Sequence, residues 1–280
     1  MNTHPEDPGQ AASPDAPWYI HGRCAAVAQA HAGRTVANSA RHLAPHLRPG
    51  LSVLDIGSAG GALTRDLAAY VAPGQVTGLD SSPDAVRDAQ VHPARPANLT
   101  FEVGDAYALP FEPGSFDVVH FHQVLHHLTD PAAALREAAR VVRPGGLIAV
   151  READFGASFW FPEATAWEAW RELYQLVARA GGTEVDAGRR LAFWLKQADL
   201  GQFADLNGSI WTYPGFAPVA QIAGSWADRL VSEHFSALAV KAGAADRTAL
   251  IATAKGLIEW GNRPDAFFAM PHIEALVRLP

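Results

Sequence analysis

Apolar residues along this chain fall into short continuous runs separated by stretches of helical period, a pattern that predicts parallel strands connected by helices. The stretch 51–67 predicts a buried first strand that ends in an acid, Asp55, and a turn carrying Gly57, Gly60 and Gly61, which opens a helix near Ala62. Residues 76–79 predict a second strand and 99–103 a third. After Pro113 and Gly114, SFDVVHFHQVLHHLTDP predicts a fourth strand leading into a loop or short helix. AALREAARVVRPGGLIAVRE then reads as a helix, a Pro-Gly-Gly turn and a fifth strand. Ahead of the first strand, the periodicity of residues 21–47 predicts a helix or helix pair that stops at Pro49 and Gly50. In the second half, residues 159–180 and 216–261 predict helical additions, with a sixth strand near 208–212 and a last one near 273–277.

The turn after the first strand is a nucleotide cradle. Its glycines let the backbone turn tightly and approach a ligand, and the helix behind it points free amides at the same place. A pyrophosphate there would be repelled by Asp55, whereas a ligand with an ammonium group and no phosphate would welcome that carboxylate. S-adenosylmethionine meets the description. Asp80, at the end of the second strand, is placed to accept from both hydroxyls of a ribose. Asp105 can accept from the exocyclic amine of adenine, with the Ala106 amide offered to the ring.

VLDIGSAGG, GLDSSPDAV, GDAYALPF, FDVVHFHQVLHHL and RPGGLIAV together resemble the successive motifs of class I S-adenosylmethionine-dependent methyltransferases, especially the branch similar to ubiquinone and menaquinone biosynthesis methyltransferases. The resemblance covers about residues 18–152. It implies a Rossmann-like, seven-stranded, mostly parallel sheet with helices on both faces, a helical N-terminal cap and helical lid insertions. One departure stands at the middle glycine of the turn, where Ala59 is tolerable if it avoids positive φ. The implied cofactor set is Asp55, Gly57, Ser58, Gly61, Asp80, Ser81, Asp105, Ala106, Phe121 and Tyr19, with S-adenosyl-L-homocysteine as product. In the resembled family the segment before the first strand closes over the cofactor. That puts Tyr19 where its ring can attract a sulfonium and His21 beside the substrate.

Residues 1–17 are rich in proline and polar groups, lack the basic and apolar regions of a signal peptide, and read as a disordered tail. Residues 18–280 read as a single domain: 18–49 the cap, 50–155 the cofactor core, 156–182 and 216–261 the lid, 262–280 the last strand. At 280 residues and 49% hydrophobic, the chain can bury a sizeable core, and no run is long enough to span a membrane. A net charge of -7 argues against a nucleic-acid partner. The single cysteine, Cys24, excludes an internal disulfide framework and fits a reducing, cytoplasmic setting. The expected partner is a small molecule; a homodimer is compatible with this reading.

Methyl transfer needs a close, aligned nucleophile, and a base only where the nucleophile loses a proton. His120, His122, His126 and His127 crowd the end of the fourth strand, and the final histidine of the LHH pattern faces the substrate region in the resembled family. His127 is therefore the first candidate for base or orienting group and His122 the second. No helical HExxH or cysteine pair accompanies them, so no metal site is expected. Glu152 and Asp154 offer a less favoured seat for a substrate amine or for magnesium against a phosphorylated substrate. Seven of the eight tryptophans lie in the second half, which suggests an apolar roof with some rings, Trp160 among them, facing substrate. Two other classes compete: a methyltransferase-fold cyclase or regulator without transfer, and a nicotinamide-dependent oxidoreductase, which GSAGGA fits poorly. A protein or nucleic-acid methyltransferase is disfavoured by HFHQ after the fourth strand.

Overall fold

A computed structural model describes residue 20 and residues 31–280. Helix α1 (Val36–Ser39) is one turn long, closed by a reciprocal Thr35–Asn38 capping box, and a 3₁₀ turn at Ala44–His46 follows. The sheet strands β1 (Val53–Ile56), β2 (Val76–Asp80), β3 (Leu99–Val103), β4 (Phe116–His122) and β5 (Val142–Ala153) are mutually parallel. Helices α2 (Ala62–Val71), α3 (Pro83–Gln90) and α4 (Pro131–Val141) are the crossovers. β5 is followed by β6 (Phe159–Phe161), α5 (Thr165–Ala180), α6 (Ala187–Gln197), β7 (Ala204–Pro214), α7 (Phe216–Val231), α8 (Glu233–Lys241), α9 (Arg247–Gly261) and β8 (Phe267–Arg278). The order is β3-β2-β1-β4-β5-β8-β6, with β7 also on β8, and β6, β7 and β5 all run antiparallel to β8.

Three cores hold these layers together. Strand alternation sends Leu54, Ile56, Val119, Phe121, Ile148 and Val150 to one face, against Ala134, Leu135 and Ala138 of α4 and Leu191 and Leu195 of α6. Val53, Val118, Leu147 and Ala149 point to the other face, against Leu63 and Leu67 of α2 and Val86 of α3. The third core is the lid itself, where Trp167 and Trp170 of α5, Trp226 of α7, Trp260 of α9 and Phe268 of β8 bury one another.

The structure corrects four expectations. Among the described residues the sheet has eight strands, not seven: Phe-Trp-Phe at the start of the expected helical addition alternates as a strand and pairs with Phe267 to Ala269, so α5 begins only at Thr165. β7 spans eleven residues because it follows β8 throughout, although its mostly polar or small side chains hide it from an apolar pattern. The Pro-Gly-Gly segment lies inside β5, as an irregularity where register shifts between Phe116 and Val118. Helix α6 had no counterpart in the reading of the sequence. Of the expected N-terminal helix, residues 21–30 lie outside the described residues. Among the described residues no helix is long and apolar enough to cross a membrane.

Candidate active site

β1 and β4 are neighbours whose crossovers leave in opposite directions, the switch point where ligands bind at the carboxyl ends of such strands. Gly57 leaves β1 at φ 71°, and its amide and that of Ser58 both donate to the Leu79 carbonyl, 2.7 and 3.1 Å. A Cβ on Gly57 would lie 2.5 Å from Val124 Cγ2, so the turn stands directly against the loop after β4. Gly61, at φ 73°, begins α2 without any side-chain cap, and a Cβ there would meet the Phe101 ring. Ala59 takes φ 47°, contrary to the condition set for its tolerance. Its amide donates to Asp80 Oδ2 at 2.9 Å, and that bond helps hold the strained residue in place.

Around this turn lies a cavity of about 210 Å³, walled on the far side by His31, Ala32 and Arg34. Asp55 reaches it while accepting from Thr64 Oγ1 at 2.6 Å and His120 Nδ1 at 2.8 Å, which fixes the His120 proton on Nδ1. The donor set suits the amino-acid end of S-adenosylmethionine: Asp55 for the ammonium, and the uncapped amides of α2 with Arg65 for the carboxylate. The buried Ser58 hydroxyl has no partner among the described residues and borders the same space. Asp80 also accepts from the Ser82 amide at 2.9 Å, leaving lone pairs for ribose hydroxyls. Ser81 and Asp105 are exposed beyond the enclosed part, Asp105 taking the Tyr107 amide at 2.9 Å beside the buried Ala106. Phe121 is corrected: its ring is fully buried on the α4 side of the sheet, so only its backbone lies on the strand end near the site. Tyr19 and His21 lie outside the described residues.

The end of β4 separates this cavity from a second. His122 borders the cofactor side, 5.8 Å from the Trp211 ring, with both ring nitrogens buried and unpartnered. Burial, followed by the nearby Arg34, Arg151 and His120, pushes it far below the usual imidazole range, so it is neutral. The next residue, Gln123, takes φ 55°. Arg34 Nη2 donates to its Oε1 at 2.5 Å, and its Nε2 lies 2.9 Å from His272 Nε2. His272 Nδ1 meets the Met270 carbonyl at 3.0 Å, so the proton sits on Nδ1 and Gln123 donates to Nε2. A cavity of about 530 Å³ opens beyond Gln123, with Phe155, Trp211, Tyr213 and Trp226 as aromatic walls and Arg34 and Arg229 among its polar ones. Arg34 borders both cavities.

Other candidates have different places. The His127 ring packs on His126 with centroids 3.8 Å apart and is not among the residues lining either cavity. Burial and the adjacent His126 hold His127 well below the usual range. A rate limb in the ordinary histidine range is therefore not expected from either His127 or His122. Glu152 is corrected. β5 runs on to Ala153, so alternation turns Glu152 inward, where it accepts from the Val124 and Leu125 amides at 2.8 and 2.6 Å and from His126 Nδ1 at 2.9 Å. Burial pushes its carboxyl up to about 8 against those donors. Asp154 is likewise engaged, capping Ala157 and paired with Arg189 at 2.7 and 2.6 Å, so neither acid is a seat for magnesium or a substrate amine. Trp160 is also corrected: it stacks on Trp167 at 5.9 Å beneath Arg171, in the lid core, away from both cavities. Gln123, Arg34, Trp211, Tyr213 and Arg229, which border the larger cavity, are not among the site residues expected from the sequence; only the position of Gln123 directly after the fourth strand offers a signal.

Known proteins agree with this geometry. The family described as a methyltransferase domain matches residues 54–150. An uncharacterized methyltransferase of Schizosaccharomyces pombe is 34% identical over 187 residues, covering 63% of this chain and 66% of the relative. A ubiquinone biosynthesis O-methyltransferase of Albidiferax ferrireducens is 43% identical over 108 residues, 37% of this chain and 42% of that one. The chain thus spans just under two thirds of the first relative and about two fifths of the second. Among solved structures, the YcgJ protein of Bacillus subtilis is similar with a TM-score of 0.52 at 19% identity, covering 86% of this chain and 99% of its own. A phosphoethanolamine N-methyltransferase of Haemonchus contortus, solved with S-adenosylhomocysteine, is similar with a TM-score of 0.51 at 20% identity, covering 84% of this chain and 50% of its own. Those structural likenesses show the fold, and the matched domain, which contains the cofactor-type turn, identifies residues 54–150 as a methyltransferase domain.

Proposed function

We propose that the protein transfers the methyl group of S-adenosylmethionine to a small, largely aromatic acceptor held in the larger cavity. The observation that carries this reading is the contact between the two cavities: consecutive residues, His122 and Gln123, border one each, and Arg34 borders both. When bound, the cofactor supplies a methyl group already activated by a sulfonium. The protein's task is then to align the acceptor and exclude water. Trp211 and Tyr213 of β7 and Trp226 of α7 supply flat walls, and the Arg34–Gln123–His272 chain fixes the divide between donor and acceptor sides. For an acceptor that gives up a proton, the neutral His122 ring offers a nitrogen at that divide.

Calorimetry with S-adenosylhomocysteine tests the reading. Binding is expected, and Asp80→Ala should weaken it more than tenfold, since a charged acceptor for two hydroxyls contributes about 1.5 to 3 kcal/mol. Unchanged affinity in that variant, or binding of NAD in place of the homocysteine compound, would overturn it.

A further inference from the structure

β1 and β4 set two polar side chains side by side in an otherwise apolar layer. Asp55 and His120 are register partners on adjacent parallel strands, so both project to the face covered by α2 and α3, beside Val53, Val118, Leu147 and Ala149. The His120 ring is fully buried, and Asp55 is 3% exposed where it reaches the cofactor cavity. His120 Nδ1 donates to Asp55 Oδ1 at 2.8 Å, and Thr64 Oγ1, from the first turn of α2, donates to Oδ2 at 2.6 Å. Each carboxylate oxygen is thus held by one donor and keeps a lone pair for another. Among the described residues no lysine or arginine pairs with Asp55.

The two donors have different origins. Thr64 lies nine residues beyond Asp55 and ties β1 to the helix behind the turn. His120 comes from the neighbouring strand, 65 residues away, and lines neither cavity. Its other ring nitrogen, Nε2, is buried without a partner among the described residues. A leucine would fill this place in the layer and leave no buried nitrogen unpaired, so packing does not account for the imidazole. What the imidazole adds is one N–H on Asp55 Oδ1.

We propose that His120 is a positioning residue for the amino-acid end of S-adenosylmethionine: its Nδ1–H fixes the Asp55 carboxylate in the orientation that meets the cofactor's ammonium group. This rests on the methyl-transfer reading, with Asp55 as the seat of that ammonium. Held by Thr64 alone, the carboxylate could pivot about Oδ2, and an arriving ligand would have to order it. Held at both oxygens, it is ordered beforehand, and the attraction, which falls with distance, is realised in full. The consequence is selectivity among adenosyl thioethers. S-adenosylhomocysteine carries the ammonium; methylthioadenosine has the same adenosine and sulfur without an amino-acid end.

Calorimetry with these two compounds tests it. The unsubstituted protein should bind S-adenosylhomocysteine at least about tenfold tighter than methylthioadenosine. His120→Leu should weaken S-adenosylhomocysteine about tenfold and leave methylthioadenosine within about twofold, a split that general loosening of the site would not produce. His120→Asn, whose amide N–H takes the place of Nδ1–H, should bind S-adenosylhomocysteine within about threefold of the unsubstituted protein, whereas His120→Gln, with its amide at the place of Nε2, should bind as weakly as His120→Leu. In an Asp55→Asn background, His120→Leu should have no further effect, because its action runs through that carboxylate. Should His120→Leu not fold, the comparison of Asn with Gln decides. Unchanged affinity for S-adenosylhomocysteine in His120→Leu, parallel loss of both compounds, equal binding by the Asn and Gln variants, or an effect that persists in the Asp55→Asn background would overturn the inference and leave methyl transfer standing. Equal affinity of the unsubstituted protein for the two compounds would remove Asp55 as the seat of the ammonium, and the role of His120 with it. Failure of S-adenosylhomocysteine to bind at all would overturn the methyl-transfer reading itself.

Discussion

Around the turn after β1 the candidate cofactor groups are placed by backbone geometry: Gly57 and Gly61 in left-handed conformations, amides at the start of α2, and one acid near the carboxyl end of each of β1 and β2. In the lid the arrangement is reversed. α5, α7 and α9 are ordinary amphipathic helices, and their largest side chains are consumed by one another, Trp167 stacking on Phe268 at 4.4 Å and meeting Trp170 and Trp260 edge-on at 5.0 and 5.5 Å. Only two of the second half's tryptophans, Trp211 and Trp226, border the larger cavity. Aromatic density is therefore a statement about how the lid is packed, while only these two tryptophans border the cavity. A backbone-built site is sensitive to any added atom; a side-chain-built lid is sensitive to any removed one.

Substitutions can separate these two kinds of dependence. Trp167→Ala should have the largest effect, lowering unfolding stability by about 3 to 5 kcal/mol because it opens a large cavity in the lid core, while the folded fraction keeps its affinity for S-adenosylhomocysteine. Urea unfolding with and without that ligand checks both halves of the statement, and a parallel loss of ligand affinity would mean that the lid core and the turn act as one unit. Gly57→Val should invert the pattern. A left-handed valine costs about 1 to 2 kcal/mol, and its side chain must displace Val124, so ligand affinity should fall by about a hundredfold or more while stability falls less than in Trp167→Ala. Binding close to that of the unsubstituted protein would show that the turn has room the geometry denies. The smallest effect is expected for Ala59→Gly. Relief of the left-handed strain, about 1 to 2 kcal/mol, exceeds the added flexibility of glycine, about 0.5 to 1 kcal/mol, so the variant should be more stable by roughly 0.5 to 1 kcal/mol. A lower unfolding midpoint would mean that the Ala59–Asp80 contact depends on the alanine.

Legibility followed the same division. Strands β1 to β4 and helix α2 lay where continuous apolar runs and a glycine turn put them, because buried parallel strands and tight turns leave their mark in consecutive residues. Asp55 and Asp80 could be placed near the carboxyl ends of β1 and β2 for that reason. Glu152 and Phe121 were misplaced by one alternation of a strand: whether a side chain at a strand end faces ligand or core depends on how far the strand runs, and β5 continued through Glu152. β7 was underestimated because an edge strand need not carry an apolar pattern when its partner carries the register.

The sequence by itself determined the cofactor turn, the order of the parallel strands' acids and the methyltransferase domain over residues 54–150, since all of these are written within short windows whose chemistry is local. Only the tertiary structure decided which residues border the larger cavity. Gln123, His272 and Arg34 come together from positions up to 238 residues apart, counted from Arg34 to His272, and Trp211, Trp226 and Arg229 face one cavity because β7 pairs with β8 and α7 folds back over it. Nothing in the local pattern of those segments distinguishes a ring that lines a cavity from one that fills a core. Packing between distant elements makes that distinction, and a one-dimensional pattern does not encode it.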